Sequence, residues 1–246
     1  MSVNAPLLPP VRRILAVGAH PDDVEFGCGG ILAKEAARGH AVTILNLSRG
    51  EAASSGTADV RQREAEASAR ALGAELMLLE LDGDGCLEYR AQHALALARV
   101  IRERRPSIVL APTPEENQHP DHAKAGRIVR DAARLARYGG LTGLKSNESH
   151  AIDALYFYDV TGAGVSAVPS AMGQLIVDVS EAFDIWNAAM ACHLSQMNTR
   201  DYVALQVARA RVLGAKIGVA HAMAVWANDA VVVHGLTDLP GSARRF

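Results

Sequence analysis

The sequence predicts an α/β fold: a Rossmann-like parallel sheet with helices on both faces, followed by a C-terminal α/β elaboration. Three observations predict it. Short apolar, strand-like runs alternate with longer amphipathic runs through the first 137 residues. Strand–helix alternation at this spacing builds right-handed βαβ units and a parallel sheet. The 246 residues are 49% hydrophobic, enough to bury one full core without disulfide or metal staples. One domain over residues 1–246 is the simplest organisation, because no Pro/Gly/Ser-rich linker and no internal repeat interrupts the chain.

The elements follow in order. Arg13–Gly18 (RILAVG) is a buried-strand run closed by glycine. Gly29–Arg38 reads as a helix stopped by Gly39, with Gly27, Gly29 and Gly30 at its opening. The run GCGGIL lacks the last glycine of the dinucleotide fingerprint, so these glycines read as close packing near a site, not as a phosphate cradle. Ala41–Leu47 is β-branched and apolar, a second strand. Asp59–Leu72 is a helix with Gly73 just past its end. Glu75–Leu81 is a third strand, Ala91–Arg104 a helix ended by Pro106, Ser107–Ala111 a fourth strand and Asp121–Arg137 a fourth helix. Beyond them, Leu155–Val160 and Gln174–Val179 read as strands, and Ser180–Met197 and Thr199–Ile217 as two helices.

Composition narrows the function classes. A net charge of -2 gives no footprint for nucleic acid or an anionic membrane. No run of about eighteen apolar residues predicts a transmembrane helix. The opening MSVNAPLLPPVRR carries its positive charges after the apolar residues, the reverse of a secretory signal, so a cytoplasmic protein is expected. Cys28, Cys86 and Cys192 form no CxxC pair and read as reduced thiols. No GxSxG elbow supports a serine nucleophile.

In a parallel sheet the ligand lies outside the carboxyl ends of the strands. Functional residues are therefore expected just after Gly18, after Leu47, near Leu81 and after Ala111. Two of these loops are dense in imidazole and carboxylate. The first strand runs into Ala19-His20-Pro21-Asp22-Asp23-Val24-Glu25, and the fourth into Pro112-Thr113-Pro114 and then His119-Pro120-Asp121-His122. Together they supply a two-His, one-carboxylate shell from His20, Asp23 and His122, which suits zinc with one position left for water. The same set also suits Fe(II). Asp22 adjoins a ligand and is the candidate general base. His119 is the candidate donor to a carbonyl oxygen, and Asp121 the carboxylate that orients an imidazole.

AHPDDVEFGCGG together with HPDH resembles the N-acetylglucosaminyl-phosphatidylinositol deacetylase-like (LmbE-like, PIG-L-type) superfamily. The resemblance extends to Ser48-Arg49-Gly50-Glu51, Arg61–Gly73, Asp84-Gly85 and His193-Leu194-Ser195-Gln196. It implies a zinc-dependent amide hydrolase that removes acetyl from an N-acetylglucosamine conjugate, with His20, Asp23 and His122 on the metal. It further implies Asp22 as base, His119 polarising the carbonyl and Asp121 supporting it. It puts Arg61, Glu51 and Asp84 on the substrate side. Within the superfamily the chain looks closest to the bacillithiol-biosynthesis deacetylases, which implies N-acetylglucosaminyl malate as substrate and a homo-oligomer, a hexamer. The chain departs from that subfamily at Val219-Ala220-His221, where a Tyr-Ala-Glu-like run is expected. Two other readings compete. One is an amidase for another acylated sugar or thiol conjugate. The other is a non-catalytic Rossmann-like binding module, which has no need of Asp22 or His119. His193 reads equally as a packing or a site residue, and His40, His93, His150, His221 and His234 as structural or exposed.

Overall fold

The computed structural model of the chain describes residues 11–115, 119–160, 173–198, 200–233 and 235. His234 therefore lies outside the described residues. The first half runs β1 (Arg13–Gly18), α1 (Asp23–Ala37), β2 (Ala41–Asn46), α2 (Ala58–Leu72), β3 (Glu75–Leu78), α3 (Ala91–Arg104), β4 (Ile108–Pro112) and α4 (Pro120–Ala136). The second half adds β5 (Ala154–Tyr158), β6 (Gln174–Asp178), α5 (Phe183–Met190), α6 (Tyr202–Ile217) and β7 (Ala222–Ala227). The strands form one seven-stranded sheet in the order β3-β2-β1-β4-β5-β7-β6. β1 to β5 are parallel, and β7 pairs antiparallel with both β5 and β6. No helix among the described residues is long and apolar enough to cross a membrane.

Both faces of the sheet are covered, which is why the parallel strands read as continuous apolar runs and not as alternating ones. Along β1, Ile14 and Ala16 point into one core with Leu32, Tyr158 and Trp186. Leu15 and Val17 point into the other, with Leu97, Ile101 and Ile128 of α3 and α4. β1 leads through α1 to β2 on one side, while β4 lies on its other side. The switch point is therefore the crevice between the carboxyl ends of β1 and β4, where the two His/Asp loops emerge.

The structure departs from the sequence reading in four places. α1 begins at Asp23, not Gly29, because Asp22 caps it in a left-handed conformation at φ 100°. The three glycines thus lie inside the helix. A Cβ on Gly27 would stand 2.2 Å from the Tyr158 ring, and one on Gly29 2.9 Å from Trp186, so they let α1 press against β5 and α5. β3 stops at Leu78, three residues short of Leu81 as read from the sequence. The expected helix over 180–197 is broken: α5 ends at Met190, and a 3-10 turn covers Leu194–Met197. Glu64 of α2 takes both the amide (2.8 Å) and the hydroxyl (2.7 Å) of Ser195, which draws the chain out of the helical path. Finally, β7 is a strand the sequence reading does not contain.

Candidate metal centre and active site

The local sequence explains how the two loops meet. After β1 the chain folds back so that the Asp23 carboxylate accepts the His20 amide at 3.0 Å. After β4, His119 caps α4 and Pro120 occupies its first turn, where a missing N–H costs nothing. Gly126 brings α4 onto the loop: a Cβ there would stand 2.3 Å from the Pro112 carbonyl oxygen. His122, one turn before Gly126, is thereby held over the end of β1.

Asp23 stands between two imidazoles. One carboxylate oxygen is 3.5 Å from His20 Nδ1, and the other is 3.0 Å from His122 Nε2. Ligands about 2.0–2.1 Å from a tetrahedral metal lie about 3.3 Å from one another, so each of these pairs is spaced as two ligands would be. The groups whose donor atoms all lie within 4.8 Å of one another among the described residues are His20/His119/His122 and His20/Asp84/His119/Asp121, without Asp23. His119 extends the cluster, since the nitrogens of His20, His119 and His122 lie within 4.8 Å of one another. The other nitrogen of His20, Nε2, faces Asp84 Oδ1 at 3.0 Å and Asp121 Oδ2 at 3.3 Å. Such outer carboxylates fix the tautomer and ring plane of a ligating histidine. Asp121 is itself fixed by the Gly85 amide at 2.8 Å.

The electrostatics of the pocket follow from burial and these contacts. Burial works against a charged His20, but Asp23 beside it and bonds to Asp121, Asp23 and Asp84 hold its pKa well above the usual value. Burial also works against a charged Asp23, and His122 and His20 override it, holding its carboxyl well below the usual range. Burial pushes the Asp22 carboxyl up to about 6 against the opposing pull of Arg61. His119 is lowered by burial and by its two neighbouring imidazoles. Its Nδ1 accepts the Asp121 amide at 3.3 Å, so in neutral His119 the proton sits on Nε2.

Arg61 is buried and donates to the protein at three points, while its Nε has no hydrogen-bond partner among the described residues. It donates to the Pro21 carbonyl (2.6 Å), to Asp22 Oδ2 (3.1 Å) and to the Gly50 carbonyl (3.2 Å). Glu51 uses both carboxylate oxygens on backbone amides, those of Arg49 and Asp84, each at 3.0 Å. It ties the loops after β2 and β3 together and does not line the pocket. Asp84 and Arg61 do line it.

The pocket over the cluster has a volume of about 400 Å³. Its lining also includes Phe26, Ser54, Ser55, Ser195, Gln196 and Tyr202, none of them among the site residues expected from the sequence. The signal was present in the His193-Leu194-Ser195-Gln196 run, but the burial of its members divides it. His193 turns inward, fully buried 3.6 Å from Glu25, while Ser195 and Gln196 reach the pocket. His221, at the departing Val219-Ala220-His221 run, stacks on Phe183 with centroids 4.1 Å apart and does not line the pocket.

A family model described as PIG-L, GlcNAc-PI de-N-acetylase, matches residues 15–133. The solved structure of the conserved protein TT1542 from Thermus thermophilus superposes with a TM-score of 0.79 at 33% identity, covering 91% of this chain and 97% of that one. The chain belongs to the PIG-L family. A curated PIG-L relative, the diacetylchitobiose deacetylase of Thermococcus kodakarensis, is 29% identical over 219 residues, 78% of this chain and 81% of its own length. The 4-carboxy-2-hydroxymuconate hydratase of Pseudomonas putida also superposes, with a TM-score of 0.77 at 21% identity over 92% of this chain and 100% of that one. That likeness shows the fold alone, and a hydratase on the PIG-L fold means that function has to be argued from the site.

Proposed function

We propose that this PIG-L chain hydrolyses the N-acetyl group of an N-acetylglucosamine conjugate, releasing acetate and the free amine, with zinc held by His20, Asp23 and His122. The observation that carries the reading is geometric: Asp23 lies between the imidazoles of His20 and His122, Asp22 adjoins it on the pocket wall, and the Asp121 amide occupies His119 Nδ1 and leaves Nε2 free to donate. A binding module needs only the first. Fe(II) suits the same donor set, and metal analysis of the purified protein separates the two.

Zinc, when bound, would lower the pKa of its water toward about 7 and polarise the carbonyl. The protein's own groups handle the protons and the charge. Asp22, next to Asp23 and with its carboxyl raised by burial, is the group placed to take a proton from the attacking water. His119 is neutral there and offers Nε2–H to the acetyl oxygen as negative charge develops on it. Asp22 then returns its proton to the leaving nitrogen. Water and the amide are consumed, and acetate and the amine balance them.

For the group beyond the amino sugar, the sequence resemblance favours malate. The pocket favours a neutral, hydroxyl-bearing partner. Its lining includes Ser54, Ser55 and Tyr202 beside Ser195 and Gln196, which are tied to Glu64 and the Ser55 carbonyl, and Arg61 is the lone arginine lining it among the described residues, donating to the protein at three points. Measuring kcat/KM for acetate release from N,N′-diacetylchitobiose and from N-acetylglucosaminyl malate tests this. The neutral disaccharide is expected to be faster. Faster turnover of the malate conjugate would restore the bacillithiol-type reading, and release only from longer-acyl or thiol conjugates would favour a different amidase.

A further inference from the structure

The residue expected to hold substrate, Arg61, is organised to hold Asp22. Resting on the deacetylase reading above, we infer that Arg61 is a positioning residue for the base, and that Gly50 is the seat that lets it act. One nitrogen, Nη2, donates both to the Pro21 carbonyl at 2.6 Å and to Asp22 Oδ2 at 3.1 Å. It therefore fixes the peptide entering Asp22 and the carboxylate leaving it. Asp22 needs such a clamp, because a residue with a Cβ is disfavoured at φ 100° and persists there only when its surroundings over-determine it. The other nitrogen, Nη1, donates to the Gly50 carbonyl at 3.2 Å and lies 3.7 Å from Asp84 Oδ2. The guanidinium is rooted on α2, which starts at a Thr57 cap, so the clamp rides on a rigid element.

Gly50 supplies an independent observation. It sits at φ 69°, and a Cβ there would lie 2.1 Å from Arg61 Nη1 and 2.5 Å from Cζ. Only a residue without a side chain lets the planar fork lie flat against the loop after β2. Lysine in place of Arg61 keeps the charge but has no fork to span the Pro21 carbonyl, the Asp22 carboxylate and the Gly50 carbonyl together.

The test uses metal-loaded Arg61→Lys, Arg61→Ala and Gly50→Ala. Arg61→Lys keeps a buried cation and guards against loss of the fold in Arg61→Ala. All three are expected to hold wild-type zinc, with kcat lower by about 100-fold from a misplaced base and KM within about threefold of wild type. Guanidinium ion added to Arg61→Ala is expected to restore part of kcat, which a merely structural defect would not allow. A KM that rises while kcat is kept would overturn the inference and return Arg61 to the substrate. A crystal structure of Arg61→Ala gives a readout independent of turnover: Asp22 displaced from its left-handed conformation supports the clamp, and Asp22 unmoved refutes it. If wild-type protein releases no acetate, the deacetylase reading fails, and that crystal structure still decides the role of Arg61.

Discussion

Replacing His119 separates two roles that the geometry keeps close together. Its ring is 4.6 Å from that of His20 and 5.4 Å from that of His122, near enough to be a third imidazole ligand. Its hydrogen bonding argues otherwise. The Asp121 amide occupies Nδ1, leaving Nε2–H as a donor, and burial with two imidazole neighbours keeps the ring neutral near pH 7. Loss of one donor aimed at a developing oxyanion costs about 100- to 1,000-fold in kcat, about 2.7–4 kcal/mol. His119 also caps α4, and loss of a cap costs about 1 kcal/mol of stability. His119→Ala is expected to show both losses. His119→Asn restores a good cap but lacks the reach of the imidazole, so it should recover urea stability and not kcat. Acetate release, zinc content and urea unfolding of the two variants read these terms separately. If His119→Asn loses zinc in step with activity, His119 is a ligand and its assignment as the carbonyl donor is refuted.

Asp22→Asn should lower kcat by about 100- to 10,000-fold, the usual worth of a general base, with zinc content unchanged. Loss of zinc in that variant would move Asp22 into the ligand shell. The metal-free protein should lose thermal stability as pH rises. His20 is held well above its ordinary 6.5, so its contribution is fully present below 6.5 and is lost as pH rises through the folded value. Zinc displaces that proton, so calorimetry on the loaded protein should lack this decline, and zinc binding near neutral pH should release protons. A flat pH profile for the metal-free form would contradict the assignment. Gly126→Ala drives a Cβ to within 2.3 Å of the Pro112 carbonyl, where backbone has to move, and should cost about 1–3 kcal/mol in urea unfolding. No change there would mean that α4 is not held against the β4 loop as described.

The parallel half of the fold was legible because the central strands β1 and β4 are buried on both faces and α1 and α2 run into glycines. β1, β2 and β4 follow the apolar runs, and α2 ends before Gly73 at φ 70° as its glycine cap predicts. The meeting of the two His/Asp loops was legible because HPDD and HPDH fall at strand ends, where parallel topology puts a site. What escaped depends on contacts distant in sequence. β7 is inserted between β5 and β6, so a six-residue run, AMAVWA, takes its identity from partners far along the chain. The break after α5 rests on Glu64, more than a hundred residues earlier, clamping Ser195. Local periodicity carries neither fact. Glu51 escaped in another way. Its position marks the site region, but it faces the Arg49 and Asp84 amides and not the pocket, which depends on the backbone around it.

The most direct test of the central claim follows acetate release from N,N′-diacetylchitobiose as zinc is removed by a chelator and restored, in wild-type protein and in His122→Ala. Release is predicted to vanish with the metal, to return in proportion to zinc up to about one ion per chain, and to be absent from His122→Ala, which holds no zinc. Undiminished release from stripped protein, or full zinc occupancy in His122→Ala, would contradict it.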